Sequence, residues 1–170
     1  MKHKVWLTLG SNLDRETCYP AGVRLIASHY EVELMSMVYE TVPVDMVDAP
    51  DFFNGALLLR TEQDPSEVKA TLITQVEAPL GRRHSAGGPF KPRTFDADIA
   101  LWNDEVFTLG PRPVPDPGIL KYLHMARPLA DISPDHRYPG DGRTLAEIAA
   151  DLEKSGPLPR PRPDIILDLT

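Results

Sequence analysis

The order in which strand-like and helix-like patterns follow one another constrains this fold more than any single motif does. Residues 5–9 are an apolar, β-compatible run, and Gly10, Ser11 and Asn12 break it. A helix follows over 19–29, starting near Tyr19 because Pro20 suits only a first turn. Residues 30–41 alternate, with Val32, Leu34, Ser36 and Val38 on one parity, and read as a strand. A loop at 42–51, with two prolines and three acids, leads into a third strand at 52–62. The next helix, 64–81, is strongly punctuated. Asp64 is its N-cap, Pro65 takes the first helical position, Glu67 completes a capping box, and Pro79 and Gly81 end it. Val68, Leu72, Ile73 and Val76 mark its apolar face. A loop of about a dozen residues separates it from the strand 95–102.

That succession, β-α-β-β-α-β, predicts an α+β, ferredoxin-like domain: an antiparallel sheet with helices on one face and the other face left for a site. Further elements follow. Residues 105–109 can pair back as a hairpin, a short helix is expected around 119–126, and 144–156 is a helix capped by Thr144 and Glu147. The domain spans 1–156, and 157–170 is a proline-rich extended tail whose last apolar residues, 165–169, either dock as a strand or stay loose.

Composition narrows the function classes. The 170 residues are 42% apolar and suit one domain with a sizeable core. No run of about 18 apolar residues offers a membrane span, and the apolar N-terminal run lacks a cleavage site, so no membrane association is expected. A net charge of −7 argues against a broad nucleic-acid surface. One cysteine, Cys18, permits no internal disulfide or multi-cysteine metal site and fits a cytoplasmic chain.

The chemistry gathers in "KPRTFDADIAL" (91–101). In a strand Asp96 and Asp98 project from the same face, roughly 7 Å apart, with Phe95, Ala97 and Ile99 on the other. Two adjacent carboxylates repel, and a hard divalent cation removes the conflict. Asp-x-Asp alone reads equally as a solvated strand edge. The stretch before it changes the balance: residues 78–95 hold no acid but carry Arg82, Arg83, His84, Lys91 and Arg93. With Gly87, Gly88, Pro89 and Pro92 it reads either as a solvated loop or as a cationic lid over phosphates. No P-loop or dinucleotide glycine motif is present, and the histidines lack zinc spacing. At the start of the third strand Phe52 and Asn54 share a face. They suit a planar heterocycle, or else a core ring and a turn-capping amide.

Together "LGSNL" (9–13), "YETVPV" (39–44), "DFFNGAL" (51–57), "VEAPLGRR" (76–83), "PRTFDADIAL" (92–101) and "RPLADISPD" (127–135) resemble the 6-hydroxymethyl-7,8-dihydropterin pyrophosphokinases of folate biosynthesis. The resemblance implies transfer of pyrophosphate from ATP to the pterin hydroxymethyl group, with two Mg²⁺ ions on Asp96 and Asp98. One of these acids also helps deprotonate the alcohol. It makes Arg82 and Arg93 catalytic cations. Glu77, Arg83, His84, Lys91, Ile99, Arg112 and Lys121 fall to the ATP side. Thr41, Val42, Val44, Phe52, Asn54, Phe90 and His124 fall to the pterin side. The partners implied are these small molecules alone, and the chain is expected to be a monomer.

The sequence departs from the family pattern in places. Pro89 and Lys91 replace a loop cation and a glycine. Asp116 and Tyr122 stand where a histidine and an arginine touch ATP phosphates, and His124 stands where a second ring stacks on the pterin. Losing two such contacts costs about 1.5–3 kcal/mol each unless His84, Lys91, Arg112 or Lys121 compensates. The alternatives are a paralogue that binds pterin or nucleotide with weak or no transfer, and a pyrophosphokinase for another heterocyclic alcohol.

Overall fold

The computed structural model describes residues 1–44, 48–81 and 94–169. Its sheet is built on β1 (His3–Ser11), flanked by β4 (Phe52–Thr61) and β5 (Asp96–Trp102). The far edge of β4 carries β2 (Glu31–Met35) along one half and β3 (Tyr39–Thr41) along the other, and all these pairings are antiparallel. The four sequence strands thus take the spatial order fourth, first, third, second, the ferredoxin-like arrangement that the sequence predicts.

The expected second strand is divided. At Ser36 the backbone N–H donates to the Ala56 carbonyl (3.0 Å) and the hydroxyl accepts from the Ala56 N–H (2.8 Å). A side chain thus takes over one rung of the ladder, and the register shifts between Val32 and Leu34. The expected apolar stripe therefore breaks: Val38 is buried, but Leu34 is 43% exposed.

Helix α1 (Arg15–His29) begins four residues before the expected Tyr19, with Pro20 inside it. Proline there removes one N–H donor and costs roughly 3 kcal/mol in a helix interior. Burial prevails: Tyr19 and Val23 are almost wholly excluded from water, and Tyr19 packs edge-on to Phe53 and Phe95. Helix α2 (Pro65–Thr71) has the capping box read from its sequence, with Glu67 N–H to Asp64 at 2.9 Å and Asp64 N–H to Glu67 at 2.8 Å. It continues as a π-helical turn (Leu72–Glu77) and a 3-10 turn (Ala78–Leu80), and Gly81 at φ 82° ends it.

Two expectations beyond β5 need correction. Residues 107–109 form β6 (Phe107–Leu109), which pairs forward with β7 (Arg112–Val114), because Gly110 at φ 60° turns the chain there. The short helix expected at 119–126 is a 3-10 turn (Pro117–Leu120) followed by α3 (Leu123–Ile132). Burial of Ala126, Leu129 and Ala130 carries α3 past the expected end. Helix α4 (Leu145–Glu153) is capped by Thr144 and Glu147 as expected.

Strand parity sorts the core into two layers. Val5, Leu7 and Leu9 of β1, with Phe53, Leu57 and Leu59 of β4, pack under α1 and the 64–80 helical segment. The opposite parity, Trp6, Ala56 and Leu58, packs under α3 and α4. The second face is therefore not free as expected: its lower half is covered, and only the upper half, carrying Thr8, Gly10, Phe52, Asn54, Asp96 and Asp98, is open. A bulge in β5 opposite Trp6 and Leu7 brings both Ala100 and Leu101 into the covered half.

The tail is extended, and Arg160–Pro161 forms β8 against β3. The terminal apolar residues make no strand, but Ile165 and Leu167 pack on the first core layer. Among the described residues no helix is long and apolar enough to cross a membrane.

Candidate active site

The open half of the second sheet face is the floor of a cavity of about 480 Å³. Gly10 of β1 lies directly between Asp96 of β5 and Asn54 of β4, and Thr8 lies opposite Asp98. Side chains of opposite chemistry therefore rise on either side of a residue that has none. A Cβ on Gly10 would sit 3.5 Å from Asn54 Oδ1 and 3.7 Å from the Phe52 ring. The rest of "GSN" fixes the rim. Ser11 donates its hydroxyl proton to the Thr94 carbonyl at the entry to β5, and Asn12 Nδ2 donates to the Pro50 carbonyl at 3.2 Å.

The opposite wall comes from β7, the 3-10 turn after it and the start of α3: Arg112, Asp116, Gly118, Lys121, Tyr122 and His124. At the acidic end, Asp98 Oδ1 is 2.7 Å from Arg112 Nη1 and 3.5 Å from Lys69 Nζ. Asp116 caps the 3-10 turn, accepting from Gly118 N–H at 2.8 Å. Burial pushes its carboxyl up and the Asp98 charge adds to this, outweighing the Gly118 hydrogen bond and the Arg112 charge.

At the aromatic end Asn54 Nδ2 donates to Thr41 Oγ1, which fixes the amide's orientation and leaves its carbonyl toward the cavity floor. Phe52, Val42 and Val44 line the same end, and Val42 is 69% exposed. His124 stacks on Tyr122 with ring centroids 5.3 Å apart, and burial lowers its pKa to about 4, so the imidazole is neutral at physiological pH.

The cavity thus brings together Thr41, Val42, Val44, Phe52, Asn54, Asp96, Asp98, Arg112, Lys121 and His124 of the sequence-predicted residues. It does not take in Glu77, which is 2% exposed at the end of the π-helical turn. Nor does it take in Ile99, which faces the first core layer, as its parity opposite to the aspartates requires. Arg82, Arg83, His84, Phe90, Lys91 and Arg93 lie outside the described residues. The sequence reading missed Thr8, Gly10, Lys69, Gly118 and Met125. Strand parity points Thr8 and Gly10 to one face, but only the pairing register shows that this face meets Asp96 and Asn54. Nothing in sequence joins Lys69 to Asp98, 29 residues away.

Comparison with known proteins gives concordant results. The family model described as 7,8-dihydro-6-hydroxymethylpterin-pyrophosphokinase (HPPK) matches residues 6–134. A Bacillus subtilis protein named 2-amino-4-hydroxy-6-hydroxymethyldihydropteridine pyrophosphokinase is 36% identical over 135 residues, covering 78% of this chain and 79% of that protein. A Pseudomonas aeruginosa protein of the same name is 32% identical over 160 residues, covering 88% and 92%. Among solved structures, Plasmodium falciparum HPPK-DHPS with pteroate superposes with a TM-score of 0.68 at 12% identity over 89% of this chain. That likeness concerns the fold, and this chain spans 43% of the length of the solved one.

Proposed function

This chain belongs to the 7,8-dihydro-6-hydroxymethylpterin-pyrophosphokinase family, and we propose that it transfers pyrophosphate from ATP to the hydroxymethyl group of 6-hydroxymethyl-7,8-dihydropterin, releasing AMP. The observation that carries this reading is the two-ended cavity. Carboxylates at one end and an aromatic ring with an oriented amide at the other face each other across Gly10. The alcohol oxygen attacks the β-phosphorus, and the bridging oxygen leaves with AMP.

In this reading Phe52 stacks on the pterin ring and His124 offers it a neutral second face. Asn54 and Thr41 hydrogen-bond its edge, and Val42 and Val44 close the apolar rim. Asp96 or Asp98 accepts the alcohol proton as the new bond forms. Arg112, beside Asp98, and Lys121, on the same cavity wall, serve the phosphates, whose charge spreads in the transition state. Arg82 and Arg93 are assigned to the same phosphates on the resemblance alone, with Arg83, His84 and Lys91 beside them. Glu77 and Ile99 are kept as nucleotide-side residues on the same footing.

The donor set fits Mg²⁺. Two hard carboxylates share one strand face, and among the described residues no third acid or imidazole joins them as a cage. Mg²⁺ is typically held in this way, by one or two carboxylates plus waters and substrate phosphates. Asp96 and Asp98 would hold two such ions, which when bound neutralise the phosphate charge and orient the chain of phosphates. A monomer working in the cytoplasm completes the reading.

Asp116 favours keeping a second reading, a pterin binder with weak transfer, because it sets a carboxylate on the phosphate side of the cavity. Calorimetry separates the two. The pyrophosphokinase binds Mg-ATP at micromolar to sub-millimolar concentration with a pterin present, whereas the binder takes the pterin and leaves Mg-ATP in solution.

A further inference from the structure

Glu40 sits on β3 one residue before Thr41, with its side chain on the opposite sheet face, and it is 8% exposed. Three arginines from distant parts of the chain surround it. Arg160 and Arg162, from the tail, both bond its carboxylate, and Arg15 of α1 stands 3.3 Å away. Burial alone would raise the Glu40 carboxyl. The Arg162 hydrogen bond and the charges of Arg15 and Arg160 outweigh it and hold the group below its ordinary value.

The cluster reaches both ends of the loop that carries Val42 and Val44. Glu40 stands two residues before the loop's first residue, Val42, and Arg15 Nη1 donates to the carbonyl of Asp51 at 2.9 Å. Arg15 and Arg162 also lie over the Phe53 ring, at 4.3 and 5.2 Å, next to Phe52 and Asn54. On the backbone, β8 pairs with β3, and Arg162 N–H donates to the Val38 carbonyl at 2.8 Å. From the other sheet face Tyr39 donates to Asp131 of α3, so β3 is gripped on both sides.

We infer that the C-terminal segment is a strap whose Arg160 and Arg162, acting through Glu40 and Arg15, are positioning residues for the heterocycle end of the site. The inference rests on the proposed function for the identity of that heterocycle. Arg160 and Arg162 bond Glu40 on the sheet face opposite to the one that carries Asp96 and Asp98. The strap sets Thr41, and through Thr41 the Asn54 amide, whereas Asp96 and Asp98 are placed by the pairing of β5 with β1, and Asp98 also by Arg112 and Lys69.

The test compares Arg162→Ala, Glu40→Gln and the conservative Arg162→Lys with the unaltered chain. Binding of 6-hydroxymethyl-7,8-dihydropterin and of Mg-ATP is measured separately by calorimetry, and amide exchange is followed at Thr41 and Val42. Arg162→Ala should weaken pterin binding about tenfold and leave Mg-ATP within about twofold, since small misplacements act on the contacts they reach. Arg162→Lys should recover most of the loss. Glu40→Gln, which keeps the shape of the cluster, should show the same split if Arg162→Ala does not fold. Pterin affinity within about twofold in both variants, or equal loss of both ligands, overturns the inference. If the unaltered chain binds no pterin, the proposed function fails, and exchange alone decides the strap: faster exchange at Thr41 and Val42 upholds it, and unchanged exchange overturns it.

Discussion

Arg112 Nη1 stands 2.7 Å from Asp98 Oδ1, across the mouth of the cavity from Asn54. An arginine therefore sits where the proposed chemistry wants a metal ion. The Asp98 charge outweighs burial and raises the Arg112 pKa further above its ordinary value. Replacing it with alanine removes a competitor for Asp98 and a cation for the phosphates. Mg²⁺ alone should bind about two- to threefold more tightly to Arg112→Ala, in keeping with the modest value of a part-exposed ion pair. Mg-ATP should bind more weakly. Calorimetric titration with each checks this, and unchanged or weaker Mg²⁺ binding would contradict it.

Gly10 makes the gap between the two chemistries. A valine there keeps its Cβ at ordinary contact distance from Asn54 and Phe52, but its methyls fill the floor. Gly10→Val should fold with a thermal midpoint within about 5 °C of the unaltered chain. It should lose pterin affinity by at least about tenfold. Differential scanning calorimetry and pterin titration read the two effects separately.

Gly22 behaves differently. A Cβ there would lie 2.5 Å from the Phe95 ring, which is fully buried one residue before Asp96. Gly22→Ala should destabilise the fold by about 1–3 kcal/mol, the usual result of overpacking a closed core. Urea denaturation measures it.

How much of this was legible in the sequence depends on the range of the interaction. Asp64 with Glu67 and Thr144 with Glu147 are local pairs, so their caps could be read directly. The parity of Asp96 and Asp98 needs only one strand, and it too could be read. Pro20 misleads because the burial of Tyr19 outweighs a local rule. The covering of the second sheet face is not legible, because the packing of α3 and α4 on Trp6 and Leu58 joins residues about 70 to 140 positions apart, which no periodicity reveals. The Glu40 cluster has the same character: its arginines come from positions 15, 160 and 162. The site's identity came from motif resemblance, whereas its two-ended form came from the register.

Asp116 tests how the phosphate side tolerates a carboxylate. Asp116→Asn keeps an acceptor for Gly118 N–H and removes the negative charge beside Asp98. Stability should change by less than about 1 kcal/mol, while Mg-ATP should bind about three- to tenfold more tightly. Equilibrium titration distinguishes this from a merely structural aspartate, for which the affinity would not move.

His124 gives the chain a pH signature. Burial lowers its pKa from 6.5 to about 4. Between those values the unfolded chain binds more protons at this site than the folded one, so stability falls as pH falls. The contribution is fully present above pH about 6.5 and is lost on the way down to about 4, at most about 3 kcal/mol. His136, also lowered by burial, acts in the same direction. His124→Gln should therefore reduce, without abolishing, the slope of unfolding free energy against pH in this window.

The most direct measurement is identification of the nucleotide product when the chain is mixed with ATP, Mg²⁺ and 6-hydroxymethyl-7,8-dihydropterin. AMP and the pterin diphosphate should appear in equal amounts. Asp96→Asn or Asp98→Asn should slow their appearance by about 10³-fold or more without unfolding the chain. ADP in place of AMP, or no AMP from a folded sample that binds both substrates, would contradict the account.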